Sequence, residues 1–250
     1  MMQILTLSGL PLFEPGSDLA AEISKAMARA ELRFEDGDIL VLAQKIVSKC
    51  EGRQKRIGDF EPSEPARELA QQVNKDPAYV AAVLSETRTV LRAKRDVLVV
   101  EHRLGHIMAN AGIDQSNIAD GDATVLLLPE DPDASARALR EALVPEGGPR
   151  IGVIVSDSFG RPWRVGTTGV AIGICGVPAV IDKRGETDLF GRTLQATEIA
   201  FADGVAAAAV LAMGETDEGT PAAIVRGLKW QESSQRARDG LRAADRDLFR

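Results

Sequence analysis

The chain has 250 residues, with 30 basic side chains against 37 acidic ones and a formal charge of −7, which is length enough for one large core or two modest ones closely joined. An acidic chain with a pI near 5.1 and few aromatic residues has neither the field nor the stacking platform that nucleic-acid binding needs. The N-terminal "MMQILTLSGLPLF" lacks a basic segment, Pro11 interrupts its apolar run, and no later stretch reaches the ~20 apolar residues of a membrane span, so the chain reads as cytoplasmic. In chain order, "SDLAAEISKAMARA" predicts a helix capped by Ser17, with Leu19, Ile23, Ala26, Met27 and Ala30 on one face, stopped by the turn "EDGD". "ILVLA" at 39–43 reads as a buried strand, and Cys50 and Cys175, far apart and outside any metal spacing, read as free structural thiols. "PSEPARELAQQV" and "DPAYVAAVLSE" each open on a cap residue and a proline and predict short helices. Strands are expected at 96–101, 106–110, 123–129 and 151–156, the first two joined by the turn "HRLG". Between the last two, "DASARALREAL" predicts a helix turning Ala134, Leu139 and Leu143 inward, hence a strand, helix, strand crossover. "GVAIGICGVPAVI" is β-rich with glycines spaced for packing, and 193–214 reads as one long buried helix that Gly204 bends or brings close to a neighbour. "AAIVRGL" is a last strand, and the tail "SSQRARDGLRAADRDLFR" an exposed amphipathic helix or a frayed end. Strands and helices mix without strict alternation, and no linker or repeat divides the chain. The expectation is one α+β (mixed α/β) domain over 1–250.

Two loops carry chemistry at predicted strand ends. "SDSFGRPWR" follows the apolar "IGVIV" directly: turn chemistry accounts for Asp157, Ser158, Gly160 and Pro162, but leaves Arg161, Trp163 and Arg164 unexplained. "NAGIDQSN" likewise ends a strand in small residues, Asp114 and amides. With the acidic loop "GETDEGTP" and its Glu215, Asp217 and Glu218, these carboxylates could hold a hard divalent cation, Mg²⁺ or Mn²⁺, while a solvated acidic turn remains the plain alternative. Neither GxxxxGK[ST] nor GxGxxG is present, so no P-loop is read. Lys45 and Lys49 follow a strand and could neutralise phosphates, or be simply solvated. "SGLPL" could wall a base or be a loop, and His102 and His106 have zinc-ligand spacing but straddle what looks like a hairpin turn.

Taken together, "GLPL", "GDILVLAQKIVSKCEGR", "NAGIDQSN", "SDSFGRPWRVGTTGVAIG", "DLFGR" and "MGETDEGTPAAIVRGL" resemble the gamma-glutamyl ligase family that elaborates coenzyme F420, over about residues 8 to 228. The resemblance implies a GTP-dependent enzyme that joins L-glutamate through its amine to the side-arm carboxylate of a deazaflavin precursor, releasing GDP and phosphate. It implies the family's own mixed fold in an intertwined homodimer. By matching positions it implies a metal set of Asp114, Asp157, Ser158 and Glu215 for Mg²⁺ or Mn²⁺, with K⁺ as a further candidate. The implied GTP contacts are Gly9, Leu10, Pro11, Leu12, Ala43, Gln44, Lys49, Asn117 and the run Met213, Gly214, Glu215, Thr216, Asp217, Glu218, Gly219, Thr220. Asp157 and Lys49 would carry the catalysis. Relatives often have threonine at Ser158, where the hydroxyl is kept, and some carry a fused C-terminal flavin-binding domain for which this chain is too short. Two apolar stretches, 204–213 and 168–181, are the sequence's physical support for the dimer. A metal-dependent phosphohydrolase and a non-catalytic nucleotide-binding module are the alternatives that the residues alone leave open.

Overall fold

The structure, a computed structural model, describes residues 1–118, 121 and 123–248. The chain runs β1 (Gln3–Thr6), α1 (Leu19–Arg29), β2 (Ile39–Ala43), α2 (Gln44–Cys50), β3 (Gln54–Arg56), α3 (Glu64–Val73), α4 (Pro77–Ser85), β4 (Thr87–Lys94), β5 (Val97–His102) and β6 (Ile107–Ala109). It continues with β7 (Thr124–Leu126), α5 (Pro132–Leu143), β8 (Gly152–Gly160), β9 (Thr167–Cys175), β10 (Val180–Asp182), β11 (Glu198–Ala200), α6 (Phe201–Met213) and β12 (Ala222–Arg226). Mixed α/β, as expected, it is organised on a five-stranded sheet of order β1-β12-β2-β8-β9, in which β2 and β8 run parallel and the other neighbours antiparallel.

The apolar runs of β2, β8 and β12 are continuous because both faces of this sheet are covered. Leu40, Leu42, Val153, Val155 and Ile224 pack with Ile23, Met27, Val47 and Leu139 of α1, α2 and α5. Ile39, Val41, Ile154 and Val225, one residue out of phase, pack with Val205, Ala209 and Met213 of α6. A third cluster joins Val73, Val80 and Val83 of α3 and α4 to Leu98 and Val100 of the β4-β5-β6 sheet.

Several sequence expectations need correction. Asp18, not Ser17, caps α1, accepting the Ala21 N–H at 2.9 Å, and Ala30 is an exposed C-cap. The parallel partner of β8 is β2; β7 pairs instead with β3, so no crossover joins β7 to β8. Ala134 is exposed, and Pro132, Ala136 and Leu139 form the buried stripe of α5. The helix expected over 193–214 covers only Phe201–Met213, because the preceding residues pair across an extended ribbon: Lys183 N–H donates to the Thr197 carbonyl and β11 lies against β10. Gly204 has open space beside its Cα, and Leu211 is 87% exposed on a helix read as buried. Most of the residues in the two apolar stretches offered for a dimer are buried within the subunit, a good part of them between α6 and the sheet face it packs on. Apart from Leu211, the exposed large apolar side chains lie outside these stretches, among them Trp163, Val165, Leu189 and Phe190.

The glycine spacing of β9 does serve packing. A Cβ on Gly169 would meet the Ala206 carbonyl at 2.5 Å, and one on Gly173 would meet the Pro132 backbone. The tail forms neither a long helix nor a wholly loose end over its described part: Ser233 N–H donates to the Gly176 carbonyl at 2.8 Å, Gln235 accepts the Val180 N–H at 3.0 Å, Ala237 is buried, and single turns stand at Ala237–Gly240 and Ala244–Arg246. Its last two residues lie outside the described ones. His102 and His106 do flank a hairpin turn, both buried, and among the described residues no three His, Cys, Asp or Glu side chains stand close enough together to form a ready-made metal site. Nor is any helix among the described residues long and apolar enough to cross a membrane.

Candidate active site

Strand β2 ends at Ala43, opposite Ser156 of its parallel neighbour β8, and ligands of open sheets gather at such carboxyl ends. Ser156 ties the two strands further by donating to the Leu42 carbonyl at 3.0 Å. Beyond Ala43 the chain enters α2 with no intervening turn, which brings Gln44, Lys45 and Lys49 to the cleft. On β8 the pairing with β9 slips between Val155 and Ser156, and past that irregularity Asp157 and Ser158 line the cleft, the kind of re-aiming that bulges produce beside sites.

Three more segments close a cavity of about 450 Å³: residues 10–13 after β1, the stretch with Asp114, Ser116 and Asn117, and residues 213–221 between α6 and β12. Asn110, Ala111 and Gly112 are consecutively left-handed, at φ 51°, 55° and 66°, although Ala111 is fully buried. Such strain in a non-glycine residue marks a position that its surroundings over-determine. The reversal delivers Asp114 to Leu126, with which it exchanges two backbone hydrogen bonds at 3.1 and 2.9 Å.

The cleft is tied across its width. Lys45 Nζ lies 2.6 Å from Asp114 Oδ2, and Ser116 N–H donates to Oδ1 at 2.7 Å. Lys49 Nζ donates to the Asn117 carbonyl at 2.8 Å, and Asn117 Nδ2 donates to the Thr216 carbonyl at 3.1 Å. The acidic loop folds on itself: Glu218 accepts the Thr216 N–H at 2.8 Å and packs where any side chain on Gly214, at φ 78°, would stand. Glu215 accepts from the Thr167 hydroxyl at 3.1 Å. Gln44 is buried, its Oε1 accepting from Ser48 at 2.8 Å and its Nε2 without a partner among the described residues, a donor suited to a ligand oxygen.

Burial pushes the Asp157 carboxyl up to about 7, and the nearby Asp114 and Glu215 add to the rise against the Ser158 N–H and Lys45. For Asp114 burial works upward too, but the Lys45 ammonium and the Ser116 N–H outweigh it and hold the carboxyl below its ordinary value. Lys49 is lowered, by burial first and then by Lys45, with Asp114 working against both. Carboxylates and a hydroxyl are hard oxygen donors of the kind Mg²⁺ and Mn²⁺ prefer.

All the residues implied by resemblance line this cleft except Gly9, whose carbonyl accepts from Arg29 at 2.7 Å and so folds the loop back on α1. Asp114, Asp157, Ser158 and Glu215 share the cleft without forming a closed shell of protein ligands among the described residues. Arg161, Trp163 and Arg164 are not brought there: they sit in the exposed turn joining β8 to β9. Ser116 and Ser156 also line the cleft, unread from the sequence because a serine beside an acid looks like ordinary turn chemistry.

The family described as F420-0:gamma-glutamyl ligase matches residues 9–227. The coenzyme F420:L-glutamate ligase of Methanothermobacter thermautotrophicus is 42% identical, across 100% of this chain and 99% of its own. Enzymes of the same name from Methanopyrus kandleri (46%, over 94% and 92%) and Archaeoglobus fulgidus (45%, over 91% and 88%) are similarly close. A match of that length, over every segment that builds the cleft, means that the chain belongs to the F420-0:gamma-glutamyl ligase family.

Proposed function

We propose that this enzyme joins L-glutamate by an amide bond to the side-arm carboxylate of the deazaflavin F420 precursor, at the expense of GTP and with Mg²⁺ or Mn²⁺ bound. The observation that carries the reading is the meeting of Asp114, Asp157, Glu215, Lys45 and Lys49 in one cleft, where β2 ends beside its parallel neighbour β8. An amine does not displace oxide from a carboxylate, so the acid is first activated. A carboxylate oxygen attacks the γ-phosphorus, the bond to the β-phosphate oxygen breaks, and GDP leaves. The glutamate amine then attacks the acyl carbon, phosphate departs with the C–O electron pair, and the amine proton passes to phosphate or water.

Both partners in the first step are anions, and their repulsion has to be opposed. A divalent ion supplies Lewis-acid charge to the phosphates when bound; Asp114, Asp157, Ser158 and Glu215 would hold it, and phosphate and water oxygens would complete the open shell. Lys49, fixed on the Asn117 carbonyl, is a point charge at the phosphates. Asn117 and the 213–220 backbone offer donors and acceptors to a base, and a pocket built on such bonds rejects an analogue that lacks them. A homodimer, proposed from the family resemblance, would cover the apolar side chains exposed at Trp163, Val165, Leu189 and Phe190.

Mass spectrometry of the deazaflavin precursor after incubation with glutamate, Mn²⁺ and GTP tests the reading. Successive glutamyl additions, made far faster with GTP than with ATP, are expected. Phosphate release without glutamate and without amide product would make the enzyme a phosphohydrolase instead.

A further inference from the structure

Lys45 holds an unusual place in the cleft. Its ammonium is 2.6 Å from Asp114 Oδ2 and donates to Ser116 Oγ at 2.7 Å, while the Ser116 N–H occupies Asp114 Oδ1 at 2.7 Å. Both oxygens of this carboxylate are therefore engaged by the chain itself. The two charged side chains are only 26% and 30% exposed, so solvent does not screen the pair as it would on an open surface. Lys49, one turn further along α2, donates to a backbone carbonyl instead of to Asp114.

A divalent ion on Asp114 either takes the oxygen that Lys45 holds or shares the carboxylate with that ammonium, and two cations on one carboxylate repel each other. Resting on the metal reading above, we infer that Lys45 is an internal counter-cation of Asp114 that the incoming ion must displace. It is a positioning residue that weakens metal binding, and its ammonium, once released, stays in the same cleft as Lys49, where phosphate oxygens would receive it.

The test is Mn²⁺ binding to the full chain without nucleotide, followed by the electron spin resonance of free Mn²⁺, for wild type, K45M, K45R, D114N and D157N. K45M is expected to bind Mn²⁺ about tenfold more tightly, equivalent to about 1.4 kcal/mol. K45R, which keeps the charge, should stay near wild type, and K45M added to D114N should gain nothing. Melting temperatures with and without Mn²⁺ accompany each titration, and K45Q carries the same expectation should K45M melt below the assay temperature. Unchanged or weaker Mn²⁺ binding in the neutral variants, with binding still lost in D157N, overturns this role of Lys45 and leaves the metal reading standing. No Mn²⁺ binding by wild type, or full binding by D157N, removes the metal reading and this inference with it.

Discussion

Asp157 is the residue on which the proposed chemistry turns, and its environment sets a conflict between activity and stability. Asp157→Asn removes a charge from a site that must balance phosphates, and ligation is expected to fall at least a thousandfold, since single preorganised groups of this kind are worth ~2.7–4 kcal/mol and this one would also hold the metal. Single-turnover product formation checks it, and near-wild-type turnover would count against the assignment. The same change should not unfold the protein. Because the folded carboxyl is raised to about 7, ionising it opposes folding as pH rises from about 4 to 7. The asparagine variant is therefore expected to melt no lower than wild type at pH 8 in EDTA. The raised value has a second consequence: below pH 7 a metal must displace a proton from Asp157, so Mn²⁺ affinity should fall by up to about tenfold per pH unit there and level off above it. A flat profile between pH 5.5 and 8 would refute this. Asp114 and Asp157 are legible in the sequence as acids that follow apolar runs, although Asp157 lies inside β8, which pairs with β9 as far as Gly160. Arg161 and Arg164, which turn chemistry left unexplained, stay exposed in the turn between β8 and β9 and do not line the cleft.

At the scale of elements, the readable strands are those buried on both faces, β2, β8 and β12, whose apolar runs have no polar interruption. β4 escaped, since Arg88, Thr89 and Val90 are exposed and the apolar signal is thin. α2 escaped because it begins on Ala43 without a side-chain cap, so no serine, aspartate or proline announces it. The false helix over 193–200 has the opposite cause: pairing with the 180–186 strand and turn overrides local periodicity. The fit of α5 and α6 on β9 yields a paired prediction. Gly173→Ala forces a methyl into the Pro132 backbone and should cost about 1–3 kcal/mol. Gly204→Ala, in a helix with open space beside it, should be neutral or stabilise by about 0.5–1 kcal/mol. Urea denaturation of both variants decides; a tolerated Gly173→Ala would mean that α5 can slide on the sheet.

Across the whole molecule, one charged joint links the turn after α2 and the segment after β7 to the β4-β5-β6 sheet. Glu86 is buried, which alone would raise its carboxyl, but His102, Arg53 and Arg103 bring it down to about 2. Arg53 and Arg103 also donate to the Leu128 and Glu130 carbonyls, so the joint spans both parts. A carboxyl lowered on folding contributes stability above its unfolded value near 4.5 that is lost as pH falls toward 2, on the order of 3 kcal/mol at most. Glu86→Gln should lower the melting temperature at pH 7 and flatten its decline between pH 4.5 and 2; an unchanged acid limb would remove Glu86 from the account. The proposed homodimer is checked by sedimentation at micromolar concentration, where a monomer would refute it. The order of the central sheet has a consequence for synthesis. β12, the final strand, inserts between β1 and β2, the first two. A nascent chain thus leaves the ribosome with the facing edges of β1 and β2 unpaired until about residue 226 has emerged, exposing apolar strands to neighbours throughout translation. A chain stopped before Ala222 should accumulate on chaperones or in inclusion bodies, even though most of the cleft's residues have already been made.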